Sequence, residues 1–332
     1  MTLRILRPSS EVLAGNPLGD PSERELWVYL PPDYETSGLR YPVLWCLTGF
    51  SGTGEMAVTG NRWSPGLATR MDTLIGRGCP PAIVAFPDCF TRWGGSQYMN
   101  SAATGRYEDY LCDELVPLVD AEFRTLADRD ARGVFGKSSG GYGAVRLAMR
   151  RPELFGGLAS HSGDMGFAFC YLPDFAKCAA SLAAAGSIEK FLEKFESTEK
   201  KRGSDFAALN ILGMASCYSP DDSAPSGFRL PYDVTTGEPD PEVWARWKTN
   251  DPVEMVRDPA RADALKSQRL VYLECGSNDE YQLHLGMRQF VSVLTELQIE
   301  HEVAEFPDNH RALNYRYDES LPKLARALRR AE

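Results

Sequence analysis

The sequence predicts an α/β fold: a mostly parallel, doubly wound sheet covered by helices on both faces. Three observations carry this. Short apolar runs recur at 26–30, 43–47, 82–86, 133–135, 157–160, 270–273 and 303–306, without the alternation expected of a sheet wetted on one side. Helical periodicity fills the intervals. Tyr107, Leu111, Leu115, Leu118 and Phe123 share one face of 107–123, with Glu108, Asp113 and Asp120 on the other, and similar patterns cover 141–150, 284–297 and 320–328. The order strand, helix, strand, helix therefore spans much of the chain, as parallel strands joined by crossover helices require.

The segment from about residue 165 to 256 breaks that rhythm. It holds an Ala-rich stretch (179–186), a charged helix (188–201) and a tract rich in Pro, Gly and Asp (220–241). The expected organisation is a single domain over residues 1–332, with 165–256 inserted as a helical cap or lid above the sheet.

Composition bounds the function. Hydrophobic residues make up 43% and charged residues 25%, as in a soluble globular protein. The net charge is -10, and the 36 Lys and Arg are scattered, so no basic stripe exists to neutralise nucleic-acid phosphates. No leader-like apolar run opens the chain and no stretch is long enough for a membrane span, so a cytoplasmic protein without membrane partners is expected. The eight cysteines form no C-x-x-C pair and no zinc spacing; they are read as reduced, structural thiols, with neither metal nor organic cofactor implied.

The chemistry starts at Gly136-Lys137-Ser138-Ser139-Gly140, the chain's only G-x-S-x-G. A strand precedes it and a helix follows, the context of a nucleophile elbow, in which glycines permit a sharp turn that exposes the serine oxygen. Ser138 is the expected nucleophile. A serine hydroxyl attacks only when a base removes its proton, usually a histidine. His161 follows an apolar strand, His284 lies in an amphipathic helix and His301 opens a strand, whereas His310 sits in a polar loop after the last strand, where such folds assemble active sites. The acid should fall between serine and histidine in the chain. Asp279, in the loop after the penultimate strand, is the first candidate, with Glu280 its close rival and Asp164 a more distant one. An oxyanion hole needs backbone N–H donors from the residue after the nucleophile, Ser139, and from the Gly-rich loop 47–54, where Phe50 is favoured. Trp63, Trp93, Tyr98, Phe169, Tyr171, Trp244 and Trp247 are candidates to line a substrate pocket.

With these residues in place the chain resembles the esterase D-like group of α/β-hydrolases, which takes in S-formylglutathione hydrolases, feruloyl esterases, siderophore esterases and mycolyltransferases. The matching stretches are 15–21 with 28–34, the loop 47–54, Asn100-Ser101 with 104–110, the elbow with 151–155, 276–281 and 306–310. The resemblance implies the α/β-hydrolase fold, a catalytic triad of Ser138, Asp279 and His310, and oxyanion donors at Phe50 and Ser139. Departures are Lys137 before the serine, where many relatives carry His or Leu, Ser139 after it, where many carry Met, and Thr48-Gly49 in the early loop.

The leading expectation is a serine carboxylic-ester hydrolase that acts through an acyl-enzyme on a small-molecule ester. An acyltransferase with an alcohol acceptor would use the same residues. A non-catalytic hydrolase-like scaffold would lack one of the three side chains, and none is missing. Oligomeric state, including a homo-oligomer, stays open, as do the acyl and leaving groups.

Overall fold

A computed structural model describes residues 2–329. Its central sheet has eight strands: β1 (Thr2–Leu6), β2 (Leu26–Leu30), β3 (Val43–Leu47), β4 (Ile83–Pro87), β5 (Arg132–Lys137), β6 (Gly157–His161), β7 (Val271–Gly276) and β8 (Glu302–Phe306). The spatial order is β1-β2-β4-β3-β5-β6-β7-β8. β2 pairs antiparallel with β1 and β4, and all other pairings are parallel.

The apolar runs of the inner strands lack alternation because both faces are buried; the run 303–306 is the exception, since β8 is an edge strand that leaves Val303 49% exposed. Val43, Trp45 and Leu47 enter one core while Leu44 and Cys46 enter the other; Val134 and Phe135 divide in the same way. All eight cysteines are free and buried. β1 was absent from the sequence reading because this edge strand, only partly buried, carries Arg4 and no sustained apolar signal.

The segment 107–123 is helical but not one regular α-helix. Tyr107–Asp109 runs into a π-helical stretch, Tyr110–Leu115, before Val116–Glu122. The wider turn shifts the faces that a 3.6-residue period predicts for the residues after it. Glu108, assigned to the solvent side, is instead buried between Arg146 and Arg150, with Arg150 Nε 2.9 Å from its Oε2.

Between β6 and β7 the chain forms helices Phe167–Cys170, Leu172–Ala185, Ile188–Ser197, Gly203–Tyr218, Pro241–Lys248, Pro252–Met255 and Pro259–Lys266. The tract 220–241 forms only isolated bridges, Pro220 with Phe228 and Tyr232 with Pro239. No helix among the described residues is long and apolar enough to cross a membrane.

Because β3, β5, β7 and β8 are parallel, the loops leaving their carboxyl ends share one edge of the sheet. Those loops carry residues 48–54, Ser138, residues 277–282 and His310.

Candidate active site

Ser138 stands between β5 and the helix Ser139–Arg150 with φ 59° and ψ −128°. An L-residue rarely adopts that conformation, which costs of order 1–3 kcal/mol and persists only where the surroundings impose it. They do. The Ser138 amide donates to the His161 carbonyl at 2.9 Å, and the glycines on either side allow β3 to approach. A Cβ at Gly136 would lie 2.4 Å from the Leu47 carbonyl oxygen, and one at Gly140 only 1.9 Å from it.

His310 projects from the loop after β8, with Nδ1 2.7 Å from Asp279 Oδ2. The other Asp279 oxygen accepts from the amides of Tyr281 (2.9 Å) and Leu283 (3.5 Å), which fixes the carboxylate in a fully buried position. Glu280 does something different: its Oε2 accepts from the backbone amide of His310 at 2.7 Å. Asp279 therefore meets the imidazole, and Glu280 holds the backbone that carries it. The Tyr281 ring stands edge-on to His310 at 4.9 Å.

Ser138 and His310 line one cavity of about 650 Å³, together with Phe50 and Ser139. Ser139 opens its helix, so its amide has no partner within that helix. The amide of Phe50 likewise has no protein acceptor among the described residues. The Phe50 loop is braced from behind: Tyr98 Oη donates to the Thr48 carbonyl at 2.6 Å, and the Ser51 amide donates to the Gly94 carbonyl at 2.7 Å.

With this geometry fixed, the sequence can be set beside known proteins. The family described as "Putative esterase" matches residues 21–321. The chain belongs to this esterase family. It is 35% identical over 137 residues to esterase MT1326 of Mycobacterium tuberculosis, covering 41% of this chain and 28% of that protein. It is 32% identical over 139 residues to an S-formylglutathione hydrolase of Paracoccus denitrificans, covering 39% of this chain and 47% of the relative. The matches thus span less than half the length of either relative. Among solved structures, a ferulic acid esterase aligns with TM-score 0.62 over 98% of both chains at 18% identity. An S-formylglutathione hydrolase from Agrobacterium tumefaciens aligns with TM-score 0.59 over 98% of this chain and 95% of that one, at 19% identity. Both likenesses place this member of the esterase family in the α/β-hydrolase fold.

Of the aromatic residues proposed for the esterase's pocket, Phe169 and Tyr171 line the cavity. Trp63, Trp93, Tyr98, Trp244 and Trp247 are not among its lining residues. Trp63 is 90% exposed in the loop before helix Leu67–Gly76. Trp93 packs edge-on against Phe228 at 5.5 Å, and Trp244 and Trp247 each pack edge-on against Phe175 at 5.8 Å. Trp247 also donates to Ser219 Oγ at 2.8 Å, so these rings hold the 165–256 segment together. Tyr98 is the strut already described.

Asp164 proves more central than its sequence context indicated. It lines the cavity, and its Oδ2 accepts from Gln97 Nε2 (3.2 Å), Tyr171 Oη (3.0 Å) and Ser139 Oγ (3.1 Å). Burial pushes its pKa up, against the pull of those donors. No local motif marks it, because its three partners come from separate stretches of chain.

A second serine–histidine–carboxylate row lies away from the cavity. His161 Nδ1 is 2.7 Å from Glu274 Oε1, and its Nε2 is 3.0 Å from Ser320 Oγ. All three side chains are buried, and none lines the cavity. Arg316 adds a bond to Glu274 at 2.7 Å, and Tyr317 packs edge-on against His161 at 4.6 Å. The row ties the final helix to the sheet.

Proposed function

We propose that the protein is a serine carboxylic-ester hydrolase working through an acyl-enzyme on Ser138. The observation that carries this is a single cavity wall bearing Ser138, His310 and the oxyanion residues Phe50 and Ser139, with Asp279 behind His310 at 2.7 Å. Family membership supports the same class of reaction.

Ser138 Oγ attacks the ester carbonyl carbon while its proton passes to His310 Nε2. Asp279 accepts the Nδ1 hydrogen, which keeps Nε2 free as the base and stabilises the imidazolium that forms. The carbonyl oxygen becomes an oxyanion between the amides of Phe50 and Ser139. Collapse breaks the bond to the leaving oxygen, which takes the proton from Nε2 and departs as the alcohol. Water then repeats the sequence on the acyl-enzyme, releasing the acid and regenerating Ser138.

Residues 165–256 act in this proposal as a cap that shapes the pocket. Support comes from the cavity wall, to which helices Phe167–Cys170, Leu172–Ala185 and Gly203–Tyr218 contribute Phe169, Lys177, Phe206 and Asn210, with Tyr171 from the link between the first two.

The test is Ser138→Ala assayed on 4-nitrophenyl acetate, with far-UV circular dichroism as the folding control and a fluorophosphonate probe to label the native protein. Turnover and labelling should both vanish in the folded variant. Retained turnover would remove Ser138 from the chemistry.

A further inference from the structure

We infer that Lys137 is a specificity-determining residue that receives a carboxylate carried by the ester substrate. The inference rests on Ser138 being the nucleophile. Lys137 is the last residue of β5, half-buried, and is one of the residues lining the cavity with Ser138 and His310. No ion pair joins it to a carboxylate among the described residues, whereas Lys177, the other lysine of the wall, sits 2.6 Å from Asp174 Oδ1.

The acids whose fields reach Lys137 are Asp279 and Glu280. Neither pairs with it: Asp279 meets the imidazole at 2.7 Å and the Tyr281 amide at 2.9 Å, and one oxygen of Glu280 accepts from the His310 amide at 2.7 Å. The remaining acids of the wall are also engaged, Asp174 with Lys177 and Asp164 with its three donors. Arg311, exposed and likewise without an ion pair among the described residues, adds a second positive field at Lys137. Desolvation pushes the Lys137 amine's pKa down, and the two distant carboxylates only partly offset this. A half-buried ammonium without a contact partner is costly, and an incoming carboxylate relieves that cost. The ammonium is a compact charge on a flexible stem, so it can serve a carboxylate on either side of the scissile bond.

Three probes separate the cases: 4-nitrophenyl acetate, neutral; mono-4-nitrophenyl glutarate, with its carboxylate on the acyl side; and 4-acetoxybenzoate, with its carboxylate on the leaving group. The quantity read is kcat/KM for each anionic ester divided by that for the neutral one, in the native protein, Lys137→Met and Lys137→Arg. At least one ratio should fall about tenfold in Lys137→Met, the scale of a charge-assisted hydrogen bond, and be largely kept in Lys137→Arg. In the native protein the same ratio should drop as salt is raised, a measurement that needs no variant. The arm that responds identifies the side bearing the carboxylate. Unchanged ratios, or an equal loss on all three esters, would overturn the proposal; the latter would make Lys137 a support for the Asp279–Glu280 loop. Ser138→Ala, run alongside, reports separately on the nucleophile.

Discussion

Replacing Asp279 with Asn should lower kcat by about 10⁴-fold, the loss found for the equivalent change in serine proteases. The structure supplies the reason. Asp279 Oδ1 accepts from the amides of Tyr281 and Leu283 at 2.9 and 3.5 Å, and Oδ2 faces His310 Nδ1 at 2.7 Å. An asparagine must leave its carbonyl oxygen with the two amide donors, because its NH₂ cannot face them. The NH₂ then occupies the Oδ2 position and donates to Nδ1, which drives the ring hydrogen to Nε2. In that tautomer Nε2 cannot take the Ser138 proton. A 10⁴-fold loss corresponds to about 5.5 kcal/mol of barrier. Glu280→Gln keeps a carbonyl oxygen for the His310 amide and should cost less than about tenfold. The assay is kcat on 4-nitrophenyl acetate, with circular dichroism and a thermal midpoint to show that both variants fold. Asp279→Asn within tenfold of the parent, or Glu280→Gln as the crippled variant, would refute the reasoning.

The buried His161–Glu274 pair sets acid stability. Hydrogen bonds from His161 and Arg316 overcome desolvation and hold the Glu274 pKa at about 2, below its ordinary value of 4.5. A depressed folded value stabilises above the ordinary pKa and is lost as pH falls from about 4.5 to about 2, a contribution of order 3 kcal/mol. The native thermal midpoint should therefore drop more steeply across that window than that of Glu274→Gln, and parallel slopes would acquit Glu274. Gly140→Ala should lower both stability and turnover, the latter about 100-fold or more, because its Cβ would sit 1.9 Å from the Leu47 carbonyl and displace the Phe50 loop; near-native activity would show that the elbow can yield. Phe169→Ala should alter the dependence of kcat/KM on acyl length, while Trp244→Ala lowers the thermal midpoint and leaves that profile alone. The opposite pattern would move the pocket away from the wall described.

The sheet was legible because its inner strands are short, apolar and buried on both sides, so the hydrophobic pattern and the structure report the same constraint. Where a second constraint entered, the pattern failed. Glu108, in the turn before the π-helical stretch Tyr110–Leu115, leaves the predicted wet face to pair with two arginines, and no propensity rule marks either feature. β1 escaped because an edge strand need not be apolar.

The elbow could be read for a local reason. Gly136 and Gly140 are required by one carbonyl, that of Leu47, and the helix that follows Ser138 is contiguous in sequence. His310 and Asp279 were legible less directly, through the rule that loops after parallel strands converge. The pocket was not, because an aromatic ring carries no sign of whether it faces a cavity or another ring. Trp244 and Trp247 turn inward because Phe175 lies in the neighbouring helix Leu172–Ala185, while Phe169, in the short helix Phe167–Cys170, and Tyr171, just after it, reach the cavity. Lys137 shows the converse. Its departure from the family pattern is visible in sequence, but that Asp279 and Glu280 turn to His310 and form no ion pair with it among the described residues is determined only by the folded geometry. The residue that departs from the family pattern thus stands next to Ser138, at a position the proposed triad chemistry does not need.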